Sequence, residues 1–313
     1  MGCEIHRKGT TVTGTLGGFI EHPEYGLCGI ISAHVALHPD ELYECKYRGG
    51  HLKLNHWPER YVHDRDIYQP AAYDESQPTG HLVEAVYIEG DNITSGVDIA
   101  IFKITDRLPV DGTFPAQIRA EQKEATTLKF TSGKTTGSIN TSNHTLWKFG
   151  KTSGQTRGQM EFVTPFVSVK EIHLRCMAGD FQVMQMNLHQ VTSIDEIPFA
   201  CPGDSGALVF LDREDLVCVG VIEGGFEGGG PVFVSPINSI LKHCNVTQLK
   251  SFYPTQGEMA ASISELQKQI TKNNQQWRQT LVKYYASWKK FNKVKPQTTM
   301  QIQINRQISK EKI

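Results

Sequence analysis

Short apolar runs of strand length, each closed by turn residues, recur through the first 234 residues and constrain the fold more than any other feature. They cover residues 11–20, 26–31, 41–47, 82–88, 99–104, 146–149, 162–169, 171–176, 181–186, 207–211, 216–222 and 231–234. β-Branched and aromatic residues fill the runs, and Gly, Pro, Asn and Asp separate them, the pattern expected of strands joined by tight turns. About a dozen such segments with few helical patterns predict an all-β class, a barrel or a sandwich. With 28 Gly and 14 Pro, 39% hydrophobic and 21% charged residues, the composition is that of a turn-rich globular protein rather than a disordered or collagen-like one. No repeat of fixed period is visible.

The polar stretch 111–124 divides the strands into two groups, so the expected organisation is a tail (1–10), two β units (11–115 and 116–250) and a C-terminal region (251–313). Charge sets that last region apart. Residues 1–250 hold 21 basic and 30 acidic side chains, a balance of −9, whereas residues 251–313 hold 11 and 3, a balance of +8. The pattern changes too: Thr255 and Glu258 have capping-box spacing, and Met259, Ile263, Leu266, Ile270, Trp277, Leu281, Tyr284, Trp288 and Phe291 follow at helical intervals. Lys268, Lys272, Lys283 and Lys290 fall on the far side. The expectation is an amphipathic helix over 255–292, ending before Pro296 and burying its apolar stripe by docking or self-association. Its basic face reads as a solvated surface, so neither nucleic acid nor membrane is an expected partner.

No apolar run approaches the roughly 18 residues that a bilayer crossing requires. The first 13 residues are polar, unlike a secretory leader, and His6 stands where a myristoylation signal has Ser or Thr. The seven cysteines are odd in number and contain no Cys-x-x-Cys pair, which points to buried free thiols. A cytoplasmic protein is expected, and a secreted one only if the chain is a fragment.

Three local patterns carry chemistry. In Pro202-Gly203-Asp204-Ser205-Gly206 a serine sits on a glycine-flanked turn just before the apolar run 207–211. A glycine at 203 allows the turn that converges the Gly203 and Ser205 N–H groups on one point, a candidate oxyanion hole. A serine hydroxyl needs a base, and His34 follows the apolar run 26–31. The imidazole needs an acceptor to fix its tautomer, and Asp98 opens the apolar run 99–104. Each residue also has a plainer reading. Ser205 could be a turn residue, His34 a core histidine, and Asp98 a strand cap with Asp91 and Asp106 nearby. His34 and His38 are four apart, but no third ligand accompanies them, so no metal and no cofactor are expected.

Taken together, Ser32-Ala33-His34, Asp98-Ile99-Ala100-Ile101 and Gly203-Asp204-Ser205-Gly206, in that order, resemble the three motifs of the trypsin-like (chymotrypsin-clan) serine peptidases. Gly150-Lys151-Thr152-Ser153-Gly154 with Gly158 is similar to a stretch in the second barrel of bacterial members, and the resemblance spans 11–245. It implies a double antiparallel β-barrel of six strands each, with the helix as an appendage. It implies a serine endopeptidase acting on peptides or proteins, with His34 as base, Asp98 as orienter, Ser205 as nucleophile, and the Gly203 and Ser205 amides as oxyanion donors. Phe199 takes the position of the specificity-pocket floor, and Glu223, Gly224 and Gly225 lie in a stretch similar to its wall. The Ile-Val-Gly-Gly N-terminus of zymogen-type members is absent, so Asp204 must find a local partner. The alternative is a catalytically silent relative, a scaffold or binding module acting through its helix.

Overall fold

The computed structural model describes residues 1–8, 12–54, 65–69, 77–115, 128–137, 144–161, 170–176, 179–211, 213, 216–225, 230–253 and 256–291. The expected strand at 162–169 and most of the expected linker lie outside them. The chain divides into two units, Met1–Tyr253 and Pro254–Ile313.

The first unit is built on two antiparallel assemblies. One is an eight-stranded sheet of β1 (Glu4–Arg7), β2 (Thr13–Thr15), β3 (Phe19–His22), β4 (Gly26–Ile31), β5 (His51–Lys53), β6 (Asp66–Tyr68), β7 (Gly80–Ile88) and β8 (Val97–Ile104). Its order is β2-β1-β6-β7-β8-β4-β3, with β5 beside β7. The other is a closed six-stranded barrel, β10-β13-β16-β15-β14-β9, formed by β9 (Thr145–Gly150), β10 (Gly154–Glu161), β13 (His189–Ser193), β14 (Leu208–Leu211), β15 (Val217–Gly225) and β16 (Val232–Pro236). A hairpin of β11 (Lys170–Cys176) and β12 (Gly179–Gln185) stands apart from both. The expected all-β fold with two β assemblies is therefore present. Of the two expected six-stranded barrels, the second is closed; the first is an open path of seven strands with an eighth alongside.

Local chemistry accounts for the elements. In β8, every residue but Lys103 is buried, because the strand runs between β7 and β4 with both faces covered. Barrel closure gives the inward residues Leu146, Val191, Val209, Leu211, Val219, Ile222, Val232 and Val234 a common core with Phe199. The outer face of the barrel, through Phe210 and Val221, joins the larger core of the open sheet.

Residues 41–47 are helix, not the expected strand: α2 spans Pro39–Tyr47. Pro39 occupies its first turn, Asp40 and Glu41 lie at its positive end, and Glu41 closes a capping box by accepting the His38 amide at 2.8 Å. These start signals outweigh the apolar alternation that suggested a strand. Residues 4–7, within the expected tail, form β1, and the reason is again Glu41. Arg7, buried, donates from Nη2 to Glu41 Oε1 at 3.0 Å, from Nη1 to Glu41 Oε2, and from Nη1 to the Ala36 carbonyl at 3.0 Å. One guanidinium thus ties β1 to α2 and to the end of the short helix α1 (Ala33–Ala36).

In the second unit α4 spans Gln256–Phe291, within the expected 255–292 segment.

The Arg7–Glu41 pair yields a stability prediction. Glu41→Gln leaves a buried guanidinium without its countercharge and should cost about 3–5 kcal/mol, whereas Arg7→Met with Glu41→Leu should recover most of that loss. Chemical denaturation of the three proteins measures both quantities.

Candidate active site

Asp98 is buried at the start of β8, opposite Tyr87 in the β7–β8 register. Its Oδ1 accepts the backbone N–H of His34 at 2.9 Å, and its Oδ2 meets His34 Nδ1. The imidazole is held at two points, from its own main chain and from its ring. His34 lies on α1, which begins immediately after β4 and Ser32, and its side chain keeps 16% exposure while that of Asp98 has none. With Nδ1 directed at a carboxylate, the tautomer that leaves Nε2 as an acceptor is favoured.

Ser205 sits on the turn that leads into β14. Gly203 and Gly206, on either side, have φ of +98° and +94°, a region open to glycine and strained for other residues. A Cβ on Gly206 would also lie 2.4 Å from the Thr15 carbonyl oxygen. The turn is pinned from several directions. Thr15 N–H donates to the Ser205 carbonyl at 2.8 Å, Thr15 Oγ1 to the Gly203 carbonyl at 2.9 Å, and Gly206 N–H to the Ile222 carbonyl at 2.8 Å. No acceptor among the described residues takes the Gly203 or Ser205 amide. The Ser205 hydroxyl donates to the Glu223 carbonyl at 3.3 Å.

Several contacts bring the serine turn to the histidine helix. A Cβ on Gly14 would lie 2.9 Å from the Val35 side chain and 3.0 Å from the Ser205 carbonyl oxygen, so the β2 strand is wedged between them. Ser32, two residues before His34, donates from Oγ to the Ile222 carbonyl at 3.4 Å, beside Glu223. Glu223 itself is buried, and one carboxylate oxygen of Glu223, one of Asp98 and one ring nitrogen of His34 all lie within 4.8 Å of one another. Of the three, His34 and Asp98 are joined by hydrogen bonds.

The local partner required for Asp204 is Lys148. Both side chains are fully buried, and Lys148 Nζ lies 2.8 Å from Asp204 Oδ2. The same carboxylate accepts the amides of Thr152 and Cys201, each at 2.9 Å, and the Ser153 hydroxyl at 2.5 Å. Burial pushes the Asp204 carboxyl up, but the Lys148 charge and these hydrogen bonds outweigh it and hold it below its ordinary value. Lys148 is not among the residues that the sequence motifs mark. Its signal is a lysine between Leu146 and Gly150 at an inward position of β9.

The other candidates are placed as follows. Phe199 lies within the barrel core, its carbonyl accepting Thr156 Oγ1 at 2.6 Å. Gly224 and Gly225 end β15, Gly225 exposed. Of the seven cysteines, Cys3, Cys28, Cys45, Cys201, Cys218 and Cys244 are free, and Cys28, Cys45 and Cys244 have thiols pushed up to about 12 by burial.

No family model and no curated protein sequence matches the chain. Solved structures similar to it include Thermobifida fusca protease A (16% identity, 80% of this chain and 97% of that one, TM-score 0.45) and Cellulomonas bogoriensis chymotrypsin (14%, 79% and 96%, 0.45). Nocardiopsis protease is another (15%, 80% and 97%, 0.45). All three are likenesses of fold at low identity.

The Lys148–Asp204 pair predicts both a mutant and a pH effect. Lys148→Met should cost about 3–5 kcal/mol by stranding a buried carboxylate. Because Asp204 is held below its unfolded-chain value of 3.8, the stability it supplies is present above that pH and lost as pH falls through the lower folded value. Acid unfolding of the wild type should therefore be steeper than that of Lys148→Met, as followed by circular dichroism.

Proposed function

We propose that the protein is a serine endopeptidase with His34, Asp98 and Ser205 as its triad. The observation that carries the reading is the double hold of buried Asp98 on His34, through the main-chain N–H and ring Nδ1, beside a serine on a turn set by two left-handed glycines. Asp98 fixes the imidazole so that Nε2 is the basic nitrogen. The reading requires the Ser205 side chain to turn from the Glu223 carbonyl, where it rests at 3.3 Å, to meet that nitrogen. Catalytic hydrogen bonds commonly tighten only when substrate binds.

In the first half-reaction His34 Nε2 takes the hydroxyl proton as Ser205 Oγ attacks the scissile carbonyl carbon. The carbonyl oxygen becomes an oxyanion facing the Gly203 and Ser205 amides, and His34 then passes the proton to the departing amine nitrogen, leaving an acyl-enzyme. Water repeats the sequence, its proton moving through His34 to Ser205 Oγ as the ester bond breaks. Asp98 remains ionised throughout and stabilises the imidazolium. Substrates are peptides or proteins, entering beside Gly224 and Gly225, with the barrel behind Phe199 closing the site. The reading requires no metal or cofactor.

A fluorophosphonate probe should label the wild type and fail to label Ser205→Ala. Ser205→Ala or His34→Ala should lower kcat by about 10⁶-fold, and Asp98→Asn by about 10⁴-fold. A wild type that resists the probe, with Ser205→Ala unchanged in every assay, would leave the silent scaffold as the better reading.

A further inference from the structure

On the triad reading, Gly203 and Ser205 turn their amides to the oxyanion, and the bonds around the serine turn show how those amides are aimed. In a trans peptide the carbonyl and the following N–H point in opposite directions. A carbonyl held on one side therefore directs the next N–H to the other. The Pro202 carbonyl accepts the Thr152 hydroxyl at 2.9 Å, and the Gly203 carbonyl accepts the Thr15 hydroxyl, also at 2.9 Å. The Asp204 carbonyl accepts Ala207 N–H at 3.0 Å, and the Ser205 carbonyl accepts Thr15 N–H at 2.8 Å. Asp204 N–H donates to the Cys201 carbonyl at 2.9 Å and Gly206 N–H to the Ile222 carbonyl at 2.8 Å. Every peptide of the turn is thus held by at least one end, and the amides of Gly203 and Ser205 are the two that no acceptor among the described residues takes.

These holds differ in strength. Thr15 is fully buried, and it grips the turn at two carbonyls. Thr152, on the turn between β9 and β10, is exposed, and its hydroxyl is what ties the Pro202–Gly203 peptide. That peptide also has the freest pivots. Proline fixes φ at 202 but leaves ψ to rotate, and glycine at 203 accepts either sign of φ. Turning the plane over would carry Gly203 from φ +98° to negative values and exchange its N–H for the Pro202 carbonyl oxygen. An oxygen in that place repels the oxyanion that the N–H would have stabilised. Thr152 also packs on the pivot itself: a Cβ at position 203 would lie 2.6 Å from Thr152 Oγ1 and 2.7 Å from Lys151 Cε.

We propose that Thr152 is a positioning residue of the oxyanion hole: its hydroxyl holds the Pro202 carbonyl outward, so that the Gly203 N–H faces the attacked carbonyl oxygen. The assignment rests on the triad reading and adds to it a side chain that touches neither substrate nor nucleophile. Its main chain is anchored separately, since Thr152 N–H donates to Asp204 Oδ1 at 2.9 Å. Replacing the side chain therefore removes the latch and leaves the β9–β10 turn attached to the serine turn.

Thr152→Val keeps the shape and removes the hydroxyl. It should lower kcat by about 10-fold with KM little changed, the effect of one neutral hydrogen bond on a donor used in the transition state. A peptide aldehyde, whose tetrahedral adduct places an oxygen in the hole, should bind the variant about 10-fold more weakly. Thr152→Ser should restore both, and Thr152→Ala should match Thr152→Val. A rise in KM alone, a serine variant as slow as the valine one, or an alanine variant as fast as wild type would each overturn the role, the last by tracing the loss to the added methyl group. Labelling by the fluorophosphonate separates this outcome from failure of the triad. A labelled wild type with Thr152→Val labelled at the same rate overturns the latch and leaves the triad standing. A wild type that the probe does not label removes the triad, and the role of Thr152 goes with it.

Discussion

A charge sealed from water must be matched inside the protein, and the architecture around the candidate site follows from three such matches. Arg7 with Glu41 joins the first strand to α2 and, through the Ala36 carbonyl, to the end of the helix that carries His34. Lys148 with Asp204 joins the barrel wall to the turn that carries Ser205. Asp98 with His34 joins the central strand of the open sheet to the proposed base. An unmatched buried ion costs several kcal/mol, comparable with the whole stability of a domain, so each pair leaves its element few alternative positions.

The site is divided between the two assemblies, and that division explains why hydrogen bonds between them concentrate near it. His34 and Asp98 belong to the open sheet, Ser205 and Glu223 to the barrel. Besides the Thr15–Ser205 and Ser32–Ile222 bonds, buried Ser235 on β16 donates from Oγ to the Gly96 carbonyl at 3.1 Å, two residues before Asp98. The Gly96 amide in turn donates to the Met186 carbonyl at 2.8 Å. Displacements of about 1 Å between a nucleophile and its base can cost two orders of magnitude in rate. Polar ties of this kind restrict such displacements better than apolar contact alone, because they are directional.

Legibility in the sequence followed the range of the interaction. His34, Asp98 and Ser205 could be picked out because each is announced by its own neighbours, an apolar strand before or after it and glycines where the turn needs them. The helix at 39–47 carries local start signals, Pro39, Asp40 and Glu41, but its apolar residues also alternate as a strand's do, and alternation alone points the wrong way. Strand β1 reads as tail because its reason for order, a salt bridge from Arg7 across 34 residues to Glu41, is not a pattern in either segment. Lys148 fell between these cases. A lysine at an inward strand position is visible, but its partner 56 residues away is not.

Glu223 marks the limit of reading by position. Counted along a regular strand, it falls in the stretch that resembles a specificity-pocket wall. One extra residue in the β15–β16 ladder changes that, since a bulge turns the carboxylate toward the buried side without altering a single neighbour in the sequence. The bulge also sets the carbonyl that receives the Ser205 hydroxyl.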